Sequence, residues 1–117
     1  MVNIMDKNNQ PICEIDEDGD KHWYLNGELH REDGPAAEYV NGSKYWYLNN
    51  QLHRLDGPAV EYNDGTKWWY LHGQRHRIDG PAYEGIDGYK SWYYHGKRIL
   101  CFSQREFERL INLKALW

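Results

Sequence analysis

Apolar and polar positions alternate along short runs that recur at a fixed step. In Lys44-Tyr45-Trp46-Tyr47-Leu48 the alternation places Lys44, Trp46 and Leu48 on one strand face and Tyr45 and Tyr47 on the other. The same phrase begins at Lys21 and Lys67 and, with small changes, at Lys90. Trp23, Trp46, Trp69 and Trp92 follow one another at a 23-residue step, and Gly19, Gly42, Gly65 and Gly88 keep it too. Such a step predicts an array of stacked units. A polar residue present in every copy is then first a candidate for architecture and only second for a site.

Two turn signals punctuate each copy. Asn26-Gly27, Asn49-Asn50, His72-Gly73 and His95-Gly96 form one set, and Asn41-Gly42, Asp64-Gly65 and Asp87-Gly88 the other. Both favour the positive φ of tight hairpins. The segment from Glu28 to Val40 is about twice as long as Ser43 to Leu48 and must break, and Asp33-Gly34-Pro35 is the place, because proline cannot donate to a ladder. The fold class predicted is mainly β: an antiparallel hairpin or meander array of 23-residue period. The Trp-Leu face is the expected core, with the four indoles buried in one row.

The ends depart from the period. The fourth copy opens with Trp92-Tyr93-Tyr94-His95-Gly96, then places Ile99, Leu100 and Phe102 where His, Arg and Asp stand elsewhere. Before Trp23 only the Asp18-Gly19 turn and Lys21 of a half-repeat are recognisable. Ser103 and Glu106 match a capping box, Phe102 and Phe107 occupy its staple positions, and Leu110, Ile111, Leu113 and Trp117 extend an apolar stripe at helical spacing. A C-terminal capping helix from about Gln104 is therefore expected to plug the last hairpin. The divisions are 1–17 as N-terminal segment and cap, 18–100 as three full and flanking partial repeats, and 101–117 as the helix.

With 117 residues the chain forms one domain, and six Trp and ten Tyr supply the large side chains that a small core needs. A net charge of −4 argues against nucleic acid as the main partner. It is unevenly spread: Glu14, Asp16, Glu17, Asp18 and Asp20 lead in, and Lys90, Lys97, Arg98, Arg105, Arg109 and Lys114 lead out. Cys13 and Cys101 lie in opposite caps, too far apart in an elongated array to bridge. A reducing compartment is expected. No secretory leader or membrane span is read, so a cytoplasmic protein is expected.

The phrases Tyr24-x-x-Gly27-x-x-His30 and His-Arg-x-Asp-Gly-Pro-Ala, over roughly Asp18 to Gly96, resemble MORN-type repeats. The usual MORN phrases differ: Tyr-x-Gly-x-Trp before the turn and His-Gly-x-Gly after it. The closer likeness is to a variant repeat of small phage and large-virus proteins that carries the His-Arg-x-Asp-Gly-Pro-Ala phrase. Tyr45-Trp46-Tyr47-Leu48-Asn49 and Ser91-Trp92-Tyr93-Tyr94 also look like choline- and glucan-binding wall repeats, whose step is shorter. The MORN likeness implies scaffolding or the binding of proteins or lipid headgroups, not catalysis.

The repeated polar residues invite chemical readings. His30, His53 and His76, one repeat apart, should lie about 10 Å from one another, two strand spacings. One zinc with bonds of about 2.1 Å cannot gather them, so no metal is expected. Asp33, Asp56 and Asp79 with Arg31, Arg54 and Arg77 resemble acid–base pairs, but Asp before Gly-Pro shapes turns by accepting backbone N–H groups, and Arg two residues earlier can pair with it. No phosphate loop, nucleophile elbow or Cys–His arrangement occurs. No catalytic residue, cofactor or enzyme activity is expected. The Tyr and Arg rows together remain open as a groove for a nucleotide or peptide.

Columns that vary between copies are free to serve a partner. They are Glu32, Leu55, Ile78; Ala37, Val60, Tyr83; and His22, Tyr45, Trp68, Ser91. Leu55, Trp68, Ile78 and Tyr83 are expected to form one apolar binding patch on the second and third copies. The function expected is non-catalytic binding of another protein; the specific form is a phage accessory protein that inhibits or redirects a host defence factor. The alternative is an aromatic groove for a nucleotide signal, a wall sugar or choline. The sequence leaves a homo-oligomer open.

Overall fold

The computed structural model describes residues 9–113. The expected contributions of Lys114 and Trp117 lie outside the described residues. The predicted mainly-β array with a C-terminal helix is what forms, drawn out to 51 × 32 × 20 Å. Its strands are β1 (Ile12–Ile15), β2 (Lys21–Leu25), β3 (Glu28–Leu29), β4 (Ala37–Glu38), β5 (Lys44–Tyr45), β6 (Tyr47–Leu48), β7 (Gln51–Leu52), β8 (Val60–Glu61), β9 (Lys67–Trp68), β10 (Tyr70–Leu71), β11 (Gln74–Arg75), β12 (Tyr83–Glu84), β13 (Lys90–Tyr94) and β14 (Lys97–Ile99). They are followed by α1 (Gln104–Asn112).

Each aromatic strand serves two ladders. Its first half joins a long antiparallel sheet in the order β1-β2-β4-β5-β8-β9-β12-β13. Its second half folds back in a hairpin: β2 with β3, β6 with β7, β10 with β11, β13 with β14. The tryptophan sits at the junction. Trp46 N–H donates to Ala59 O at 2.7 Å, and Trp46 O accepts from His53 N–H at 3.0 Å. Successive hairpins are joined as well. Asn50 N–H donates to Leu29 O, Gly73 N–H to Leu52 O and Gly96 N–H to Arg75 O. Two columns of backbone bonds therefore run the length of the array, one on each side of the tryptophan line.

The turn chemistry is as the sequence requires. Asn26 and Gly27 have φ of 53° and 82°, and His72 and Gly73 have 49° and 81°, the two positive values of a type I′ turn. In the second copy Asn50 replaces the glycine at φ 66°, and its side-chain oxygen accepts from Leu29 N–H at 2.8 Å.

The sheet register separates two faces. One line of cross-strand partners runs Lys21, Glu38, Lys44, Glu61, Lys67, Glu84, Lys90, alternating in charge at every step. Opposite charges directly across strands stabilise each pairing by about 0.2–1 kcal/mol. The neighbouring line, pointing the other way, runs His22, Ala37, Tyr45, Val60, Trp68, Tyr83, Ser91.

The buried centre differs from the one expected. Ala36, Ala37, Ala59, Val60 and Ala82 are buried, whereas Trp23, Trp46 and Trp69 are half-buried. Only Trp92 of the indole row is buried, in a cluster with Ile99 and Phe107. A sheet with short strands and no second sheet packed on it cannot enclose a row of indoles. Only the helix at the end does so. The lead-in also supplies more than a turn: β1 pairs with β2 from Ile12↔Tyr24 to Ile15↔Lys21 and forms the front edge strand. Cys13 and Cys101 are both free, one in β1 and one after β14.

At the helix the capping box forms with one change of partner. Ser103 Oγ accepts from Glu106 N–H at 3.1 Å, and the Glu106 carboxylate reaches back to Phe102 N–H at 2.7 Å rather than to the cap residue's own. The staple does not form. Phe107 is fully buried, but Phe102 is 97% exposed, because the chain leaving β14 directs it away from the sheet. Among the described residues no helix is long and apolar enough to cross a membrane. Ser103→Ala should lower stability by about 0.5–2 kcal/mol through loss of the cap bond; an unchanged denaturant midpoint would show that the helix is held by Phe107 alone.

Candidate functional site: the grooves between Asp-Gly-Pro loops

The His-Arg-x-Asp-Gly-Pro phrase builds the same object three times. Arg54 leaves the hairpin and lays its guanidinium over the Trp46 ring, 3.9 Å from the centroid. Arg31 over Trp23 and Arg77 over Trp69 repeat this at 3.9 and 3.8 Å. Around each guanidinium the donors are placed in turn. Arg54 Nε donates to Asp56 Oδ1 at 3.0 Å, and Nη1 donates to Pro58 O at 3.0 Å and Glu61 Oε2 at 3.1 Å. Corresponding bonds join Arg31 to Asp33, Pro35 and Glu38, and Arg77 to Asp79, Pro81 and Glu84. The aspartate therefore pairs with the arginine two residues before it, as the spacing allows.

The glycine of the phrase is needed for closeness, not for its φ. A Cβ on Gly34, Gly57 or Gly80 would stand 2.9, 2.8 or 2.6 Å from the arginine Cζ. The guanidinium thus fills the gap between an indole face and the backbone of its own loop.

The histidines tie each copy to the next. His30, His53 and His76 are buried, and their Nδ1 atoms accept the backbone N–H of Asn49, His72 and His95 at 3.1, 2.9 and 2.8 Å. Those three donors are the first residues of the following hairpin turns. An Nδ1 that accepts carries no proton, so the bond requires neutral imidazole. Burial first, and then the neighbouring imidazole of His72 or His95, lowers the pKa of His53 and His76. Among the described residues, every buried side-chain N or O atom has a partner.

Between consecutive loops the Trp-Leu face opens into grooves. One, of about 830 Å³, lies between the first and second loops over Trp46, Leu48 and His53, and is lined by Glu32 and Leu55. The next, of about 590 Å³, lies between the second and third loops over Trp69, Leu71 and His76, and is lined by Leu55 and Ile78. Leu55 is 84% exposed and Ile78 57%. Glu32 holds the same column in the first copy, and its carboxylate lies 3.3 Å from His30 Nε2.

The four predicted binding residues do not form one patch. Leu55 and Ile78 line the grooves, whereas Trp68 and Tyr83 are cross-strand partners on the opposite, tyrosine-rich face. There Trp68 packs on Tyr83 at 4.6 Å and Tyr93 at 5.8 Å, with the Arg75 guanidinium 4.4 Å above its ring. Tyr39, Tyr45 and Tyr62 continue the rings edge to face. Burial, then the neighbouring tyrosines, raises the Tyr45 and Tyr47 hydroxyl pKa values. The variable column Ala37, Val60, Tyr83 is not free either, since Ala37 and Val60 are buried. The Tyr and Arg rows, grouped from sequence as one groove, fall on opposite faces, and no tyrosine lines either groove.

Sequence reasoning passed over one convergence. The Asp16, Asp18 and Asp20 carboxylates lie within 4.8 Å of one another. The turn explains it: Asp16 Oδ1 accepts the N–H groups of Asp18 and Asp20 at 2.9 and 3.0 Å. The alternating aspartates were the available signal. Comparison with family models, curated proteins and solved structures found no match to this chain.

The histidine bonds set a pH dependence. Lowered folded-state pKa values mean that the unfolded chain binds more protons, so stability rises with pH across the window. The contribution of His53 and His76 is complete above the unfolded value, about 6.5, and is lost as pH falls from there through the lowered folded values. Melting temperature should be level above about pH 7 and fall steadily between 6.5 and 5.5; a flat profile there would mean that the imidazoles do not hold the copies together.

Proposed function

We propose that this chain is a non-catalytic repeat module that binds another protein. The observation that carries the reading is the exposure of Leu55 and Ile78 at the mouths of two grooves, where the first copy has a charged residue. Exposed apolar side chains bordering a concavity are what interfaces use for anchoring. The constant His, Arg and Asp groups, in contrast, are engaged with their own fold in every copy. They hold the grooves open and carry no chemistry in this reading. The likeness to viral repeats makes a host factor, including one of a defence system, the first partner to test.

The alternative, an aromatic module for a choline-like cation, a sugar or a nucleotide, meets an obstacle on the tyrosine face. The cation position over Trp68 is taken by Arg75, and the rings already pack on one another.

Affinity capture from a host lysate, run in parallel with variants of each face, tests the reading. Leu55→Asp and Ile78→Asp should each weaken the captured interaction by roughly 2 kcal/mol or more while the melting temperature holds, because both side chains are exposed. Trp68→Ala and Tyr83→Ala probe the other face. Loss of partner with these alone would move the interface there, and a nucleotide co-purifying with the wild type, seen as excess ultraviolet absorbance, would support the alternative.

A further inference from the structure

We propose that the two open grooves dock an amphipathic α-helix of a partner protein, in the way the chain's own α1 occupies the last groove of the array. The inference deepens the protein-binding reading and rests on it.

The argument is one of register. Advancing the lining of the groove over Trp69 by one 23-residue step carries Trp69 to Trp92, Leu71 to Tyr94, His76 to Ile99 and Ile78 to Cys101. These four residues form the cluster that α1 covers with Phe107, Leu110 and Ile111. The grooves of the second and third copies therefore correspond in position to the one that a helix fills in the fourth, with a histidine in place of Ile99 and an arginine already over each tryptophan. Repeats related by a constant step present the same shape at each step. The spacing also suits a helix, since two strand spacings come to about 10 Å and a helix with its side chains is about 10–12 Å across.

The polar contacts of α1 extend the match. Gln104 accepts from Trp92 Nε1 at 2.8 Å and donates to Ile78 O at 2.8 Å, bridging the indole to the preceding loop. One step back, the equivalent pair is Trp69 Nε1 and Leu55 O; two steps back, it is Trp46 Nε1 and Glu32 O. A helix that brings a side-chain amide and, three residues on, an aromatic ring would reach both and set the ring beside the arginine that covers each tryptophan. Gln104 and Phe107 stand at that separation. The residue matching Cys101 is Leu55 in one groove and Ile78 in the other, larger apolar groups than the Cys101 that α1 covers.

A direct probe is a peptide of the sequence Phe102 to Leu113, held helical by a side-chain bridge between the exposed positions 105 and 109 and carrying a fluorophore. It is titrated against the whole chain and followed by anisotropy. Saturable binding is expected. It should weaken about tenfold or more on Leu55→Asp, which borders both grooves and lies away from α1, and also when the peptide's Phe107 is replaced by alanine. Circular dichroism of the Leu55→Asp chain confirms that it folds. Absent binding, or binding that survives Leu55→Asp because the peptide only exchanges with α1, would overturn the inference. If the peptide fails while Leu55→Asp still abolishes capture of a lysate partner, the protein-binding reading stands and helix docking falls.

Discussion

A positive charge wedged between an indole and a backbone governs this fold. The guanidinium of each full repeat lies about 3.8–3.9 Å over its tryptophan ring and against the glycine of its own loop. Cation–π contacts contribute roughly 0.5–2 kcal/mol according to desolvation, and hydrogen bonds to charged groups about 1.5–3 kcal/mol. The arginine combines both with three acceptors in fixed directions, a match to its planar fork that lysine cannot reproduce. The constancy of the phrase follows. Tryptophan is the floor, arginine the wedge, and aspartate and the sheet glutamate accept its N–H groups. Glycine gives it room, and proline offers a carbonyl while ending the strand.

The rest of the array follows from linking such units. The histidine of each copy receives the N–H of the next turn, and the alternating Lys–Glu line continues across every boundary. Stability is then a sum of units and nearest-neighbour contacts. The ends need different solutions, because each lacks one neighbour. At the front, β1 adds a strand. At the back, α1 supplies Phe107 where no arginine exists to cover Trp92.

Much of this was legible in the chain. The 23-residue step, the strand faces around Trp46, both hairpin turn sets and the Ser103–Glu106 cap are local patterns, and local patterns survive folding. What failed to show was set by chain direction after the Asp-Gly-Pro break. Period-two alternation stops there, so nothing said that Arg54 would return over Trp46 and leave the indole half-covered. Nor did anything say that Ala37 and Val60 would be buried while Leu55 stayed out. The expected patch of Leu55, Trp68, Ile78 and Tyr83 divided for that reason. The first and third belong to loops, and the second and fourth to the opposite face of the sheet. Phe102 obeyed the helix-staple spacing but not its geometry, since the preceding strand set its direction.

The central claim is that Arg54 and Trp46 act as one structural unit, and a double-mutant cycle on stability measures it without reference to any partner. Arg54→Met keeps much of the side-chain volume and removes the charge and its bonds; Trp46→Leu removes the aromatic face. The account gives a coupling of about 1 kcal/mol or more between the two changes, from chemical denaturation of the wild type, both single variants and the double variant. Strictly additive losses would contradict it, because they would mean that the arginine and the indole stabilise the fold independently and the repeated phrase is held for another reason.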